Sequence, residues 1–444
     1  MGPTQNGRRA GSENLSPVTT SDKTSLALVT DGWQFRRVVV CFLALSVSLP
    51  IAWISLGKVM LFAVALALFV AGMVRRRRDE ALNKLLSTQL LLLILILFAL
   101  SFFWTNADQG TALMAFVKHG KLLTILLLAS LIRTPRDARA ALMAFAVGQL
   151  ALLVGSWTLV AGLPYRYVHV YFGRGVVFSS YLDQSIIFAT SAAVLWHLQP
   201  FNLWPRWLAG LFGVAALISV FLVLIGRTAY FVAIAMMALA AMWALPLKFR
   251  RVTLLGVPVI TLAAFLAGPT HIQQRVSLIY SDIQNYSTKA DISTSSGWRL
   301  NAWHRSVQAV AENPLTGHGV GAWTNTVKRL EGKSATAVFG PGLSSNPHQE
   351  FLLWGVELGV GGSVLLLLFL LALARDFTQF SEPVYRAGVS VVVALGVACL
   401  FNSTLYDGLI GDYFCVILGI LLGLGLRAER PPVSSNVGFR ASPA

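Results

Sequence analysis

Three basic side chains stand where they could act on a charged substrate at a membrane surface. Arg227 lies in LIGRTAY at the junction of two apolar runs, Arg299 in SSGWRLNAW, and His348 in SSNPHQEF just ahead of another apolar run. A guanidinium is a planar fork of donors that matches phosphate oxygens and keeps its charge at any working pH. Arg299 falls in the first turn of an expected helix, where backbone N–H groups lack partners and the helix dipole is positive. A bound phosphate there gains from both the side chain and the helix end. His348 has an imidazole that ordinarily titrates near neutrality, which suits a general base. Each residue also has a plainer use: Arg227 extending its head group to the interface, Arg299 as a solvated cation, His348 as a hydrogen-bonding fixture.

The rest of the chain narrows the chemistry. The long polar segment before His348 holds few acids, chiefly Asp282, Asp291, Glu312 and Glu331, and none are paired as DxD. There is no HExxH, and the three cysteines, Cys41, Cys399 and Cys415, all lie in apolar runs. These features argue against a disulfide framework, a metal site or any cofactor, so a bound diphosphate would have to be neutralised by arginine. No GxxxxGK[ST] loop is present and no loop on the cytoplasmic side is long enough for a nucleotide-binding domain, so ATP is not the expected power source.

The elements that must position these groups are membrane helices. The 444 residues are 56% hydrophobic and 12% charged, with mean hydropathy +0.67, whereas a soluble chain carries about 25% charge. The run LLSTQLLLLILILFALSFFW (85–104) is uncharged over the roughly 20 residues that a bilayer requires. Backbone polar groups in lipid must be satisfied within each segment, so such runs are helices. The expected fold is an all-α polytopic integral membrane protein of about twelve spans: 38–56, 59–74, 85–104, 111–132, 139–161, 176–197, 207–226, 228–247, 252–268, 349–374, 386–404 and 407–426.

The formal charge of +16 resembles a nucleic-acid signal, but its placement points to topology. Arg75 to Arg78 directly follow an apolar run, and alternate loops carry Arg36 and Arg37, Arg133 with Arg136 and Arg139, Arg206, Lys248 with Arg250 and Arg251, Arg375 with Arg386, and Arg427 with Arg430. The positive-inside rule then puts both termini in the cytoplasm. The chain divides into a disordered N-terminus (1–35) with no signal peptide, nine spans (36–268), a large non-cytoplasmic loop (269–347), three spans (348–426) and a cytoplasmic tail (427–444). Within the loop, WRLNAWHRSVQAVAE has helical apolar spacing, a cap at Ser295 or Ser296, and a stop at Asn313-Pro314.

Beyond His348, Pro347 serves as the last loop residue or first helical position. Gly355, Gly359 and Gly362 form a small-residue stripe that lets another helix approach. Glu357 lies nine residues further on, roughly 13 Å along a continuous helix. An intramembrane carboxylate needs a partner, and Lys118 or Lys121 is the expected one. Gln349, Glu357 and Lys121 are therefore candidate supporting residues.

These residues resemble those of a known family. HQEFLLWGVELGVGG (348–362) fits H[NSQ]-x9-G-x-x-G, RLNAWHRSVQAVAENPLTGHGVGAW (299–323) is similar to an outer-loop signature with an Arg helix and an Asn-Pro, Gly-rich turn, and Arg227 in GRTAY resembles an upstream Ser/Gly-Arg motif. Together they resemble the O-antigen ligase superfamily, which also holds O-antigen polymerases and protein O-oligosaccharyltransferases. The detailed likeness covers about 227–362, with Gly226 standing where many relatives have Ser. The resemblance implies a GT-C-like membrane glycosyltransferase of a bacterial inner membrane, with its active site facing the periplasm. It would transfer O-antigen from undecaprenyl diphosphate to the lipid A-core oligosaccharide of lipopolysaccharide. Arg227 and Arg299 would bind the diphosphate and His348 would be the base, without metal, cofactor or nucleic acid. A polymerase is the nearest alternative. A protein O-oligosaccharyltransferase is disfavoured by the lack of a large C-terminal addition. A lipid or solute transporter is disfavoured by the lack of a clear internal repeat.

Overall fold

The computed structural model describes residues 34–70, 80–162, 174–224, 226–266, 277, 281, 283–288, 292–332 and 346–427. The expected disordered N-terminus, the cytoplasmic tail beyond Arg427, the Arg75 to Arg78 cluster and much of the long loop lie outside the described residues. The described residues contain helices and no strand. Nine helical stretches among them are long and apolar enough to cross a bilayer: Ile51–Val70, Leu86–Phe103, Gln109–Leu131, Pro135–Val160, Arg206–Val223, Arg227–Ala244, Val360–Phe377, Glu382–Phe401 and Gly408–Arg427. The chain is a multi-pass membrane protein. Its outer faces expose large apolar side chains such as Val70, Leu211 and Leu255, a surface that suits lipid tails.

The expected spans 38–56, 176–197 and 252–268 are not among these nine. Residues 34–46 are helical, but Pro50 follows a turn at 47–49, so the first break falls ahead of Ile51 rather than at 57–58. Tyr181–His197 and Arg250–Leu266 have 17 residues each. The expected span 349–374 is corrected more sharply. It breaks at Gly359 (φ +72°) into Glu350–Leu358 and Val360–Phe377. The second piece folds back so that Ser363 Oγ donates to Phe351 O at 2.7 Å.

Polar caps set the other ends. Thr134 and Asp137 form a capping box at Pro135–Val160, with Pro135 in the first turn. Asp137 is buried and also binds Arg36 at 2.9 Å and Arg37 at 2.8 Å, which ties the first helix to this one. At that same end Arg139 Nη2 donates to Asn202 O at 3.0 Å and Arg427 Nε to Ile132 O at 3.2 Å. We call this the basic end.

Gly408–Arg427 forms the axis of the bundle, buried continuously from Leu409 to Leu424. A Cβ on Gly419 would meet Ile125 O and Leu128 Cβ at 3.0 Å, so these two helices approach at the distance small residues allow. Asp412 of the axial helix pairs with Lys58 at 2.7 Å, and Tyr413 Oη and Ser191 Oγ lie 2.8 Å apart. Both contacts satisfy polar groups that would be costly alone in lipid.

Candidate functional site

The loop helix Ser295–Glu312 starts one residue earlier than the sequence predicts. Thr294 is its cap, accepting from Gly297 N at 3.0 Å, and Asn313 ends it. Arg299 therefore stands just past the first turn. Arg227 opens the helix Arg227–Ala244 after Gly226. Its Nη1 donates to Ser296 Oγ at 2.9 Å, one turn ahead of Arg299. Burial pulls the Arg299 guanidinium below the usual arginine range, the neighbouring Arg227 charge pulls it further, and Tyr181 and Asp407 act the other way.

His348 does not start a helix, as the sequence predicts, but sits two residues before one. Gln349 is the cap, its side chain accepting from Leu352 N, and the helix runs from Glu350. Asn346 Oδ1 accepts from His348 N at 2.8 Å, and the tight turn holds His348 at φ +52°. A side chain in this region costs on the order of 1–3 kcal/mol unless its surroundings over-determine it. Here they do. Trp303 Nε1 donates to Pro347 O at 3.1 Å, Gln349 N to Ser403 Oγ at 3.1 Å, and the Trp298 ring packs edge-on against the imidazole at 5.2 Å. Burial, and then the Arg299 charge, push the imidazole down to about 4. His348 is thus neutral at pH 7, with Arg299 near enough to disfavour its protonation.

The turn 402–407 closes the same neighbourhood, and the sequence reading missed it. Asp407 Oδ1 accepts from Asn346 Nδ2 at 3.1 Å. Burial raises the Asp407 carboxyl, while Lys121, Lys118 and Arg299 counter that. Tyr181 and Asp183, in the first turn of Tyr181–His197, come within electrostatic reach of Arg299 and Asp407 respectively. The turn is fixed from below by buried Glu350, whose Oε2 accepts from Leu405 N at 2.8 Å and Tyr406 N at 3.2 Å. Lys121 fixes it from the side. Its Nζ donates to the carbonyls of Tyr406, Asp407 and Gly408, and Lys118 Nζ lies 4.1 Å over the Tyr406 ring.

The expected pairing of Glu357 with Lys118 or Lys121 is corrected, because both lysines are engaged around Tyr406. Glu357 Oε2 instead meets His119 Nε2 at 2.7 Å, and its Oε1 accepts from Gly321 N at 2.7 Å. His119 stacks on Phe98 at 3.8 Å. A compact ring and a backbone amide fit this dry interior, whereas a long lysine chain reaches past it. The end of Glu350–Leu358 is gripped by the loop after the Arg299 helix: His318 N donates to Val356 O at 2.8 Å, Gly319 N to Glu357 O at 3.0 Å, and Val360 N to Pro314 O at 2.8 Å. The glycines are therefore not a simple packing stripe. Gly359 turns the chain, and a Cβ on Gly317 would lie 2.5 Å from Gly359 N.

Among the described residues, no group of three or more His, Cys, Asp or Glu side chains is placed to hold a metal ion. The arrangement offers a neutral imidazole within electrostatic reach of the Arg299 guanidinium, which in turn neighbours Arg227, bounded by a carboxylate turn. Residues 212–367 match the family model described as O-antigen ligase. That match covers about a third of the chain. The matched segment spans Arg227, Arg299, His348 and Glu357, while Lys121 and Asp407 lie outside it. The chain is also similar to a protein of Haemophilus influenzae described as uncharacterized, 30% identical over 125 residues, covering 27% of this chain and 30% of that relative. It thus matches less than a third of the relative's length.

Proposed function

We propose that the protein is an O-antigen ligase of a bacterial inner membrane, transferring O-antigen polysaccharide from undecaprenyl diphosphate to the lipid A-core oligosaccharide. The observation that carries this reading is a His348 imidazole held neutral next to Arg299, itself beside Arg227. A base must be unprotonated to take the acceptor proton, and a departing diphosphate needs cations where its charge grows. The two arginines hold the diphosphate. A ring nitrogen of His348 takes the proton of the acceptor hydroxyl as that oxygen bonds the anomeric carbon. The bond to the diphosphate oxygen breaks, undecaprenyl diphosphate leaves with its electron pair, and direct displacement inverts the anomeric centre. Asp407 and Tyr181 line the approach, and Gln349, Glu357 and Lys121 hold the site in shape. No metal is required. The fold is GT-C-like, the site faces the periplasm, and the basic end with both termini faces the cytoplasm, in keeping with the positive-inside rule.

The test is reconstitution with purified donor and lipid A-core. His348→Ala should lower kcat by about 10²–10⁴-fold, Arg227→Ala and Arg299→Ala should lower kcat rather than KM alone, and EDTA should leave turnover intact. Near-normal kcat in His348→Ala removes the base assignment. The family also supports polymerisation. Product growth on a lipid carrier rather than on lipid A-core identifies a polymerase.

A further inference from the structure

A cavity of about 360 Å³ opens at the basic end, remote from His348, between the ends of three helices. Trp196, His197, Gln199 and Pro200 come from the end of Tyr181–His197 and the turn after it, Arg206 opens the helix Arg206–Ile218, and Glu382, Pro383 and Arg386 lie in the first turns of Glu382–Phe401.

Several independent features of this cavity call for a ligand. His197 is 92% buried (8% exposed), yet its Nε2 has no hydrogen-bond partner, and Gln199 Oε1 is likewise buried and without one. An unsatisfied buried polar atom costs about 1–3 kcal/mol, so such atoms in a cavity wall are expected to meet something there. Gln199 Nε2 donates to Leu195 O at 3.2 Å, which leaves the carbonyl oxygen turned to accept. Two guanidiniums flank the space. Arg386 pairs with Glu382 and lies 6.0 Å over the Trp243 ring, whose edge packs on His197 at 4.9 Å. Arg206 is exposed and makes no ion pair among the described residues. Both helices that begin here lack a side-chain cap, Pro205 and Ser381 supplying none; the Glu382 carboxylate stands in the first turn of the second, so the uncovered positive end is that of Arg206–Ile218.

The surroundings fix the kind of ligand. Trp196 and Trp207 are 54% and 69% exposed beside the cavity, and tryptophans in this position mark the headgroup level of a bilayer. Guanidiniums and the open end of Arg206–Ile218 select a phosphate. The Gln199 carbonyl and Glu382 carboxylate accept from a donor next to it. We propose that this cavity binds the headgroup of an anionic phospholipid, a phosphodiester with a neighbouring hydroxyl donor such as a glycerol headgroup. The phosphate lies between Arg206 and Arg386 and the hydroxyl meets Gln199. The site is independent of the transfer reaction and does not rest on the ligase reading.

The experiment uses the full chain in mild detergent, following the thermal unfolding midpoint and lipid retention by native mass spectrometry while adding phosphatidylglycerol, phosphatidylcholine, inorganic phosphate or glycerol 3-phosphate. Phosphatidylglycerol should raise the midpoint saturably. The double substitution Arg206→Ala with Arg386→Ala should weaken that response by about tenfold or more and remove one retained lipid. Arg375→Ala, an exposed cation on the same end outside the cavity, should leave the response unchanged. An equal response to phosphatidylcholine, or an undiminished response in the double variant, overturns the proposal. A full response to glycerol 3-phosphate or inorganic phosphate, with nothing added by the lipid, overturns the lipid source and assigns the cavity to a soluble phosphate ester.

Discussion

Arg227 reaches from its own helix to a hydroxyl one turn ahead of Arg299, and each guanidinium thereby sits in the field of the other. Two like charges held this way repel until an anion comes between them. Inorganic pyrophosphate should therefore raise the unfolding midpoint of the protein, and Arg227→Gln should weaken its apparent binding about tenfold or more, as expected when a charge-assisted hydrogen bond is lost. Calorimetric titration measures this. Equal pyrophosphate affinity in wild type and variant would mean that the pair does not act on phosphate.

The His348 imidazole carries a pH signature. In the folded chain, burial and then Arg299 keep it neutral down to about 4, whereas in the unfolded chain it returns to its ordinary 6.5. Between those values the unfolded state binds more protons, so His348 contributes stability at neutral pH that is lost as pH falls from 6.5 towards 4. As a base it should stay active over the same window, with kcat/KM flat from pH 8 to about 5.5. Arg299→Gln should raise the His348 titration point, read by ¹⁵N-histidine NMR. An acid limb near 6.5 in the wild-type profile would contradict the assignment.

Breaking the His119–Glu357 contact strands a polar group in the interior. Glu357→Ala should cost about 3–5 kcal/mol, while the double replacement His119→Phe with Glu357→Leu should recover much of that loss. Unfolding midpoints in detergent test both. A single variant as stable as the wild type would show that the contact does not hold the 317–321 loop.

At Gly359 the backbone is left-handed, and a Cβ would sit 2.5 Å from Pro314 O. Gly359→Ala should destabilise the protein by more than about 1 kcal/mol, while Gly361→Ala, where a Cβ would meet nothing within 4 Å, should be close to neutral. Equal midpoints for the two would remove the break from the account.

Much of the architecture was legible because lipid forces it. Apolar runs had to be helices, and the end of the loop helix at Asn313 follows from residue type. Arg227, Arg299 and His348 could be singled out because cations at the ends of apolar runs are conspicuous. Asp407, Asn346 and Tyr181 could not, since they lie in short turns with no motif and matter only through the fold. The break at Gly359 escaped because glycine spacing reads equally as a packing face, and only the carbonyl of Pro314 pressing on it decides. The partner of Glu357 escaped because a search for cations passes over a histidine on the same helix as two lysines.

The break has a mechanical consequence. His348 is joined to a helix of nine residues whose far end is bonded to the 313–321 backbone, so the imidazole does not ride on the long span that follows. Long spans lean when the bilayer thins or thickens. The first turn of Val360–Phe377 stays tied to that short helix through Ser363 and Phe351, so leaning of the long span is taken up beyond it, which predicts a site geometry little affected by acyl-chain length.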